Sequence, residues 1–214
     1  MDEEIEIINT ATRKEKIKNF LINNKKSIIT VIIILLLMLF SFFFYKDYQK
    51  RNSQDLADKY NIAIIQYESG DKSKILDIMK NIIEQKDKTY SPLAFYFLID
   101  NQMIDSNDEI NSYFDLLINE LGLEDEIKNL TIYKKGLFNS DFADENKLLE
   151  ILNPVIKSKS MWKPQALYLM AEYYYAKNEN QKSKEFFNQI LTLENVNSKI
   201  KLEAQKRLRA DFSE

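Results

Sequence analysis

The chain has 214 residues, 30 Lys plus Arg against 33 Asp plus Glu, a formal net charge of −3, and neither histidine nor cysteine. Those absences remove imidazole and thiolate metal ligands, thiol nucleophiles, disulfides, a lipoprotein-type cysteine anchor and the usual general base near neutral pH. From Lys46 onward 24 Lys plus Arg stand against 28 Asp plus Glu, so the chain lacks the basic footprint of a nucleic-acid binder.

The first segment, 1–27, opens acidic at Asp2, Glu3, Glu4 and Glu6 and turns basic from Arg13. Thr12 followed by Glu15 has the spacing of a capping box, which predicts a short helix through Ile17, Phe20 and Leu21. Such a flank sets topology, and a basic juxtamembrane helix can also touch anionic lipid.

From Ile28 to Tyr45 eighteen residues pass without a charge, interrupted only by Thr30 and Ser41. At about 1.5 Å per residue such a helix is roughly 27 Å long, close to the hydrocarbon thickness of a bilayer. The run exceeds the apolar part of a secretory signal, and Phe42, Phe43, Phe44, Tyr45 and Lys46 follow where a small-residue cleavage site would stand. An uncleaved transmembrane helix over 28–45 is therefore predicted, with its aromatic end at the headgroup interface. Lys and Arg number six before the run and four in the fifteen residues after it, a bias toward a cytoplasmic N-terminus and a translocated C-terminal domain over 46–214.

Beyond the span, apolar periodicity predicts helices over Ser53–Glu68, Lys72–Glu84, Pro92–Met103, Asp108–Leu121, Asp125–Phe138, Asn146–Lys157, Pro164–Lys177, Gln181–Leu193 and Ser198–Arg209. Gly70 with Asp71, Ser91 with Pro92, and Gly122 punctuate them as ends and starts. No strand alternation of useful length occurs. The fold class is all-α: one transmembrane helix, then a tetratricopeptide-like α-solenoid of about four helical hairpins and a C-terminal capping helix, with first helices spaced near the period of 34 residues.

The last hairpin carries the most specific match. Ala171, Tyr174, Ser183 and Phe187 hold the small, aromatic, small and aromatic places of the tetratricopeptide pattern, where small residues let two helices approach and aromatics fill the space between hairpins. In the first hairpin Ala63 takes the small place, with Ile75 and Met79 at the later pair; in the second, Ala94 is the best small residue. Gly136 falls inside a helix at a cost of about 1 kcal/mol against Ala, which points to close contact with a neighbouring helix.

The layout resembles the YfgM-like family of single-span bacterial inner-membrane proteins, ancillary subunits of the SecYEG translocon. The resemblance rests on the short tail, the single uncleaved span and a repeat domain closing in MWKPQALYLMAEYYYAKNENQKSKEFFNQIL and EAQKRL. It implies a periplasmic domain that associates with translocon subunits, periplasmic folding factors and emerging polypeptides.

Tyr96, Tyr173 and Trp162 are candidates for touching a partner, beside the more frequent role of such residues in packing. The acidic groups at Glu124–Glu126 and at Asp141, Asp144 and Glu145 read as helix starts that complement the dipole, not as a catalytic pair or metal site. No enzyme activity and no cofactor are expected. Two function classes stay open: a binding module held at the membrane, and a tethered scaffold for an envelope assembly or division complex.

Overall fold

A computed structural model describes residues 15–16, 18–68, 70, 72–194 and 196–212; the expected capping residue Thr12 and the expected cap Asp71 lie outside them. Two compact units divide the chain between Asp55 and Leu56. The described helices are α1 (Lys25–Glu68), α2 (Lys72–Glu84), α3 (Tyr90–Asp100), α4 (Asn107–Glu120), α5 (Asp125–Asn139), α6 (Glu145–Lys157), α7 (Lys163–Ala176), α8 (Asn180–Thr192) and α9 (Ser198–Phe212). No strand occurs among the described residues.

The first unit holds the apolar part of α1, which is long and apolar enough to cross a membrane. Its side chains are exposed from Ile29 through Tyr45, as a lipid-facing helix requires. Thr30 Oγ1 donates to the Lys26 carbonyl at 3.0 Å, so the hydroxyl is satisfied within the helix. The separate helix expected from Ser53 is instead the continuation of α1. Between Tyr45 and Ser53 there is neither glycine nor proline, and Arg51 pairs with Asp47 one turn away at 2.9 Å, so nothing in that stretch stops the helix.

The second unit is the helical repeat domain. Its helices follow one another in chain order, with α2 packed on α3, α4 on α5, α5 on α6 and α7 on α8 and with α9 as the closing element, and their apolar faces enclose three successive cores. Leu56 and Ala63 of α1 join Ile75, Met79, Ile82 and Ile83 of α2 and Phe95, Leu98 and Phe114 of α3 and α4 in the first. Ile132, Leu148, Leu152, Met170 and Tyr174 form the second, and Leu167, Ala171, Phe187, Ile190 and Ala204 the third.

Small residues set how closely helices approach. α7 and α8 share the most extensive contact, and there Ser183 Oγ donates to the Ala171 carbonyl at 2.8 Å, with both residues fully buried. The same device appears between α2 and α3, where the buried Ser91 Oγ donates to the Ile82 carbonyl at 3.0 Å. Ser91 was expected as a helix cap. It lies inside α3 because Asp87 Oδ1 accepts from the Thr89 and Tyr90 amides at 2.9 and 2.8 Å and starts the helix earlier. Gly136 of α5 faces Leu152 of α6 so closely that a Cβ there would lie 2.8 Å from Leu152 Cγ.

Candidate interaction surface

The first helices of successive hairpins are tied to one another at intervals near the repeat length. Tyr96 of α3 donates its hydroxyl to Thr131 Oγ1 of α5 at 3.3 Å, and Lys134 Nζ lies 3.6 Å from the centre of the Tyr96 ring. Burial pushes the Tyr96 phenol above its ordinary value, so the ring meets the lysine as a neutral π face. Glu126 of α5 then accepts from Ser160 Oγ at 2.7 Å and from the Met161 amide at 3.3 Å, just ahead of α7. Tyr133 of α5 stacks on Trp162 with ring centres 6.0 Å apart. Beyond α7, Arg207 of α9 bonds Glu172 and lies 4.6 Å from the Tyr175 ring.

Three apolar side chains recur at the 34-residue interval near the starts of these helices. Leu93, Ile127 and Met161 stand at or just before the first turns of α3, α5 and α7, each 34 residues from the next. They are 42%, 47% and 68% exposed. Single exposed apolar side chains are ordinary on a protein surface, and Leu137, Phe142 and Leu202 are about as exposed; what sets these three apart is their shared interval. The spacing was present in the sequence, but locating it requires the register of the degenerate middle repeats.

The residues singled out from the sequence are divided among the three cores. Ala63 and Ala94 are fully buried in the first, Tyr174 lies in the second, and Ala171, Ser183 and Phe187 come together around the α7–α8 contact. The aromatic pairing is staggered: Tyr174 stacks on Phe186 with centres 5.5 Å apart, and Phe187 meets Tyr168 edge to face at 5.4 Å. Tyr174 also donates to Glu145 of α6 at 2.9 Å, and Lys182 of α8 donates to the same carboxylate at 2.9 Å. The bonds from Lys182 and Tyr174 hold Glu145 below the ordinary carboxylate value, while Glu179 and Glu145 raise Lys182 above its own. That knot joins three helices.

Of the partner candidates, Tyr96 and Trp162 are half-buried against α5, whereas Tyr173 is buried and donates to the Ala143 carbonyl at 3.1 Å. The structure therefore gathers Tyr96 and Trp162 on the row of first helices and sets Tyr173 apart, turned toward the α5–α6 hairpin. Among the described residues no group of three carboxylates is placed to hold a metal.

Residues 18–109 match the family model of a tetratricopeptide repeat-like domain, a stretch that includes the apolar segment and reaches into α4. No curated protein matches the chain, and no solved structure does. An all-helical repeat fold of this kind is typically a non-enzymatic scaffold for protein–protein contact.

Proposed function

We propose that this protein is a membrane-anchored interaction module whose repeat domain offers the face of its first helices to protein partners. The observation that carries the reading is the exposed row Leu93, Ile127 and Met161 on a tetratricopeptide-like domain that follows one apolar helix. In this reading residues 1–27 are a cytoplasmic tail, 28–45 cross the bacterial inner membrane, and 46–214 form the periplasmic domain. The six-to-four bias of basic residues supports that direction.

The partners that fit the resemblance in layout are SecYEG translocon subunits, periplasmic folding factors and emerging polypeptides. Anchoring is part of the mechanism: confinement to the membrane raises the effective concentration near an exit site, so individually weak contacts suffice without an enzymatic step. The row of first helices, with Tyr96 and Trp162 beside it, is the contact surface. Ala63, Ala94, Ala171, Tyr174, Ser183 and Phe187 pack the repeats that hold it in shape.

Two experiments test this. External protease applied to spheroplasts digests the repeat domain if it is periplasmic, and protection defeats the topology. Affinity purification of the full chain in mild detergent recovers translocon subunits; recovery of only stable envelope-assembly or division proteins replaces the reading with a tethered scaffold.

A further inference from the structure

The two flanks of the apolar run differ in net charge more than in basic residues. In the ten residues before Ile28 stand Lys18, Lys25 and Lys26 without a carboxylate; in the ten after Tyr45 stand Lys46, Lys50 and Arg51 with Asp47 and Asp55. From Lys16 through Lys46 there is no acidic residue at all. Topology follows the basic residues alone, whereas attraction to a headgroup follows net charge.

The side chains are partnered in the same unequal way. At the far end Arg51 pairs with Asp47 at 2.9 Å, and Lys46 lies 5.0 Å from the centre of the Phe42 ring. At the near end Lys16, Lys18, Lys25 and Lys26 are exposed and form no ion pair among the described residues.

Distance from the bilayer ranks these four. Residues 18–23 are helical, the Asn24 amide donates to the Phe20 carbonyl at 3.0 Å and the Ile28 amide to the Asn24 carbonyl at 2.9 Å, so helical bonding continues into α1. At about 1.5 Å per residue Lys25 and Lys26 lie roughly 3–5 Å before the apolar run, at headgroup depth. There a lysine stem lies along apolar surface while its ammonium stays among the phosphates. Lys18 and Lys16 lie roughly 15 and 18 Å out, where a Debye length of about 8 Å screens most of their attraction. A helix entering the bilayer at Ile28 has headgroups around Lys25 and Lys26 in any case, and their unneutralised charge selects which. A zwitterionic headgroup brings a cation with its phosphate; an anionic one does not.

We propose that Lys25 and Lys26 hold anionic phospholipid headgroups at the N-terminal end of the apolar run, with Lys16 and Lys18 adding a weaker attraction from farther out. The proposal rests on the reading of 28–45 as a membrane span and on nothing in the repeat domain.

The test reconstitutes the full chain, with Trp162→Phe removing the native tryptophan, in vesicles of equal phosphatidylcholine and phosphatidylglycerol in which one lipid or the other carries brominated acyl chains. A reporter indole is placed at the near end by Ile28→Trp or at the far end by Tyr45→Trp. Quenching at the near end gives phosphatidylglycerol a relative affinity at least about fivefold higher, the effect of about one lysine at the surface; at the far end the two lipids differ less. Adding Lys25→Gln with Lys26→Gln removes most of the near-end preference, and Lys16→Gln with Lys18→Gln removes a smaller part. Equal quenching by both lipids at the near end, the same preference at both ends, or a preference that survives loss of Lys25 and Lys26 overturns the proposal with the span intact. Quenching by neither lipid at either end overturns the span, and the proposal with it.

Discussion

Gly136 of α5 and Leu152 of α6 meet with no room for a methyl group between them: a Cβ on Gly136 would lie 2.8 Å from Leu152 Cγ and 3.3 Å from its Cδ1. Leu152 is fully buried, so it cannot turn into solvent to relieve such a clash. Gly136→Ala gains about 1 kcal/mol of helix propensity and meets an overpacking cost of about 1–3 kcal/mol, leaving a net loss of up to roughly 2 kcal/mol. Denaturant unfolding of the full chain in detergent checks this. Combining Gly136→Ala with Leu152→Val recovers part of the loss relative to the sum of the single changes.

The two buried serine bonds predict a paired result. Ser183→Ala and Ser91→Ala each lower stability by about 1 kcal/mol, the size of one net hydrogen bond, because the smaller side chain still allows the helices to approach. Ser183→Leu costs about 1–3 kcal/mol by forcing α7 and α8 apart. Thermal unfolding of the three variants distinguishes the bond from the space.

Gln102 closes α3 with φ of 52°, a left-handed conformation that glycine adopts without penalty, and the following Met103 amide bonds the Leu98 carbonyl at 2.9 Å. Its side chain is exposed. Gln102→Gly therefore stabilises the protein by roughly 0.5–1 kcal/mol, the relief of left-handed strain exceeding the added freedom of the unfolded chain. An unfolding midpoint below that of the parent contradicts this account of the helix end.

Burial, with Glu109 beside it, pushes the Tyr113 phenol from its ordinary 10.0 up to about 12. The fold thus favours the neutral form. The stability it contributes is complete below pH 10 and declines as the pH rises through 10 toward 12, because the unfolded chain ionises first. Tyr113→Phe makes the alkaline fall of the unfolding midpoint shallower than in the parent over that window; an identical fall in both proteins contradicts the assignment.

The fold was legible where physics is local and where periodicity is long. Eighteen uncharged residues identify the apolar helix, and Gly70 and Gly122 do end helices with positive φ. Gly136 marks a close helix approach because a mid-helix glycine is otherwise a cost. Other boundaries were hidden. Lys86, Gln102 and Asn178 end α2, α3 and α7 in left-handed conformations without glycine, and Asp87 rather than Ser91 starts α3, choices that tertiary packing imposes on permissive residues.

The surface was harder to read than the core. Tyr96, Tyr173 and Trp162 stood out because they are aromatic, yet aromatic identity does not reveal which ring is covered, and Tyr173 has its hydroxyl bonded to Ala143. Leu93, Ile127 and Met161 look like ordinary core residues in a helical pattern. Only the register of α3, α5 and α7, fixed by contacts such as Tyr96 with Thr131 and Glu126 with Ser160, puts all three outside.

Site-specific photo-crosslinking in living cells tests the central claim most directly. A benzophenone amino acid is placed at Leu93, Ile127 or Met161, with Asn146 on α6 and Glu185 on α8 as exposed comparison sites. These surface changes leave stability within about 0.5 kcal/mol of the parent, so folding does not confound the comparison. The account predicts adducts with translocon subunits or emerging chains from the first three positions and few from the other two. Equal labelling at all five, or adducts only from Asn146 and Glu185, contradicts it.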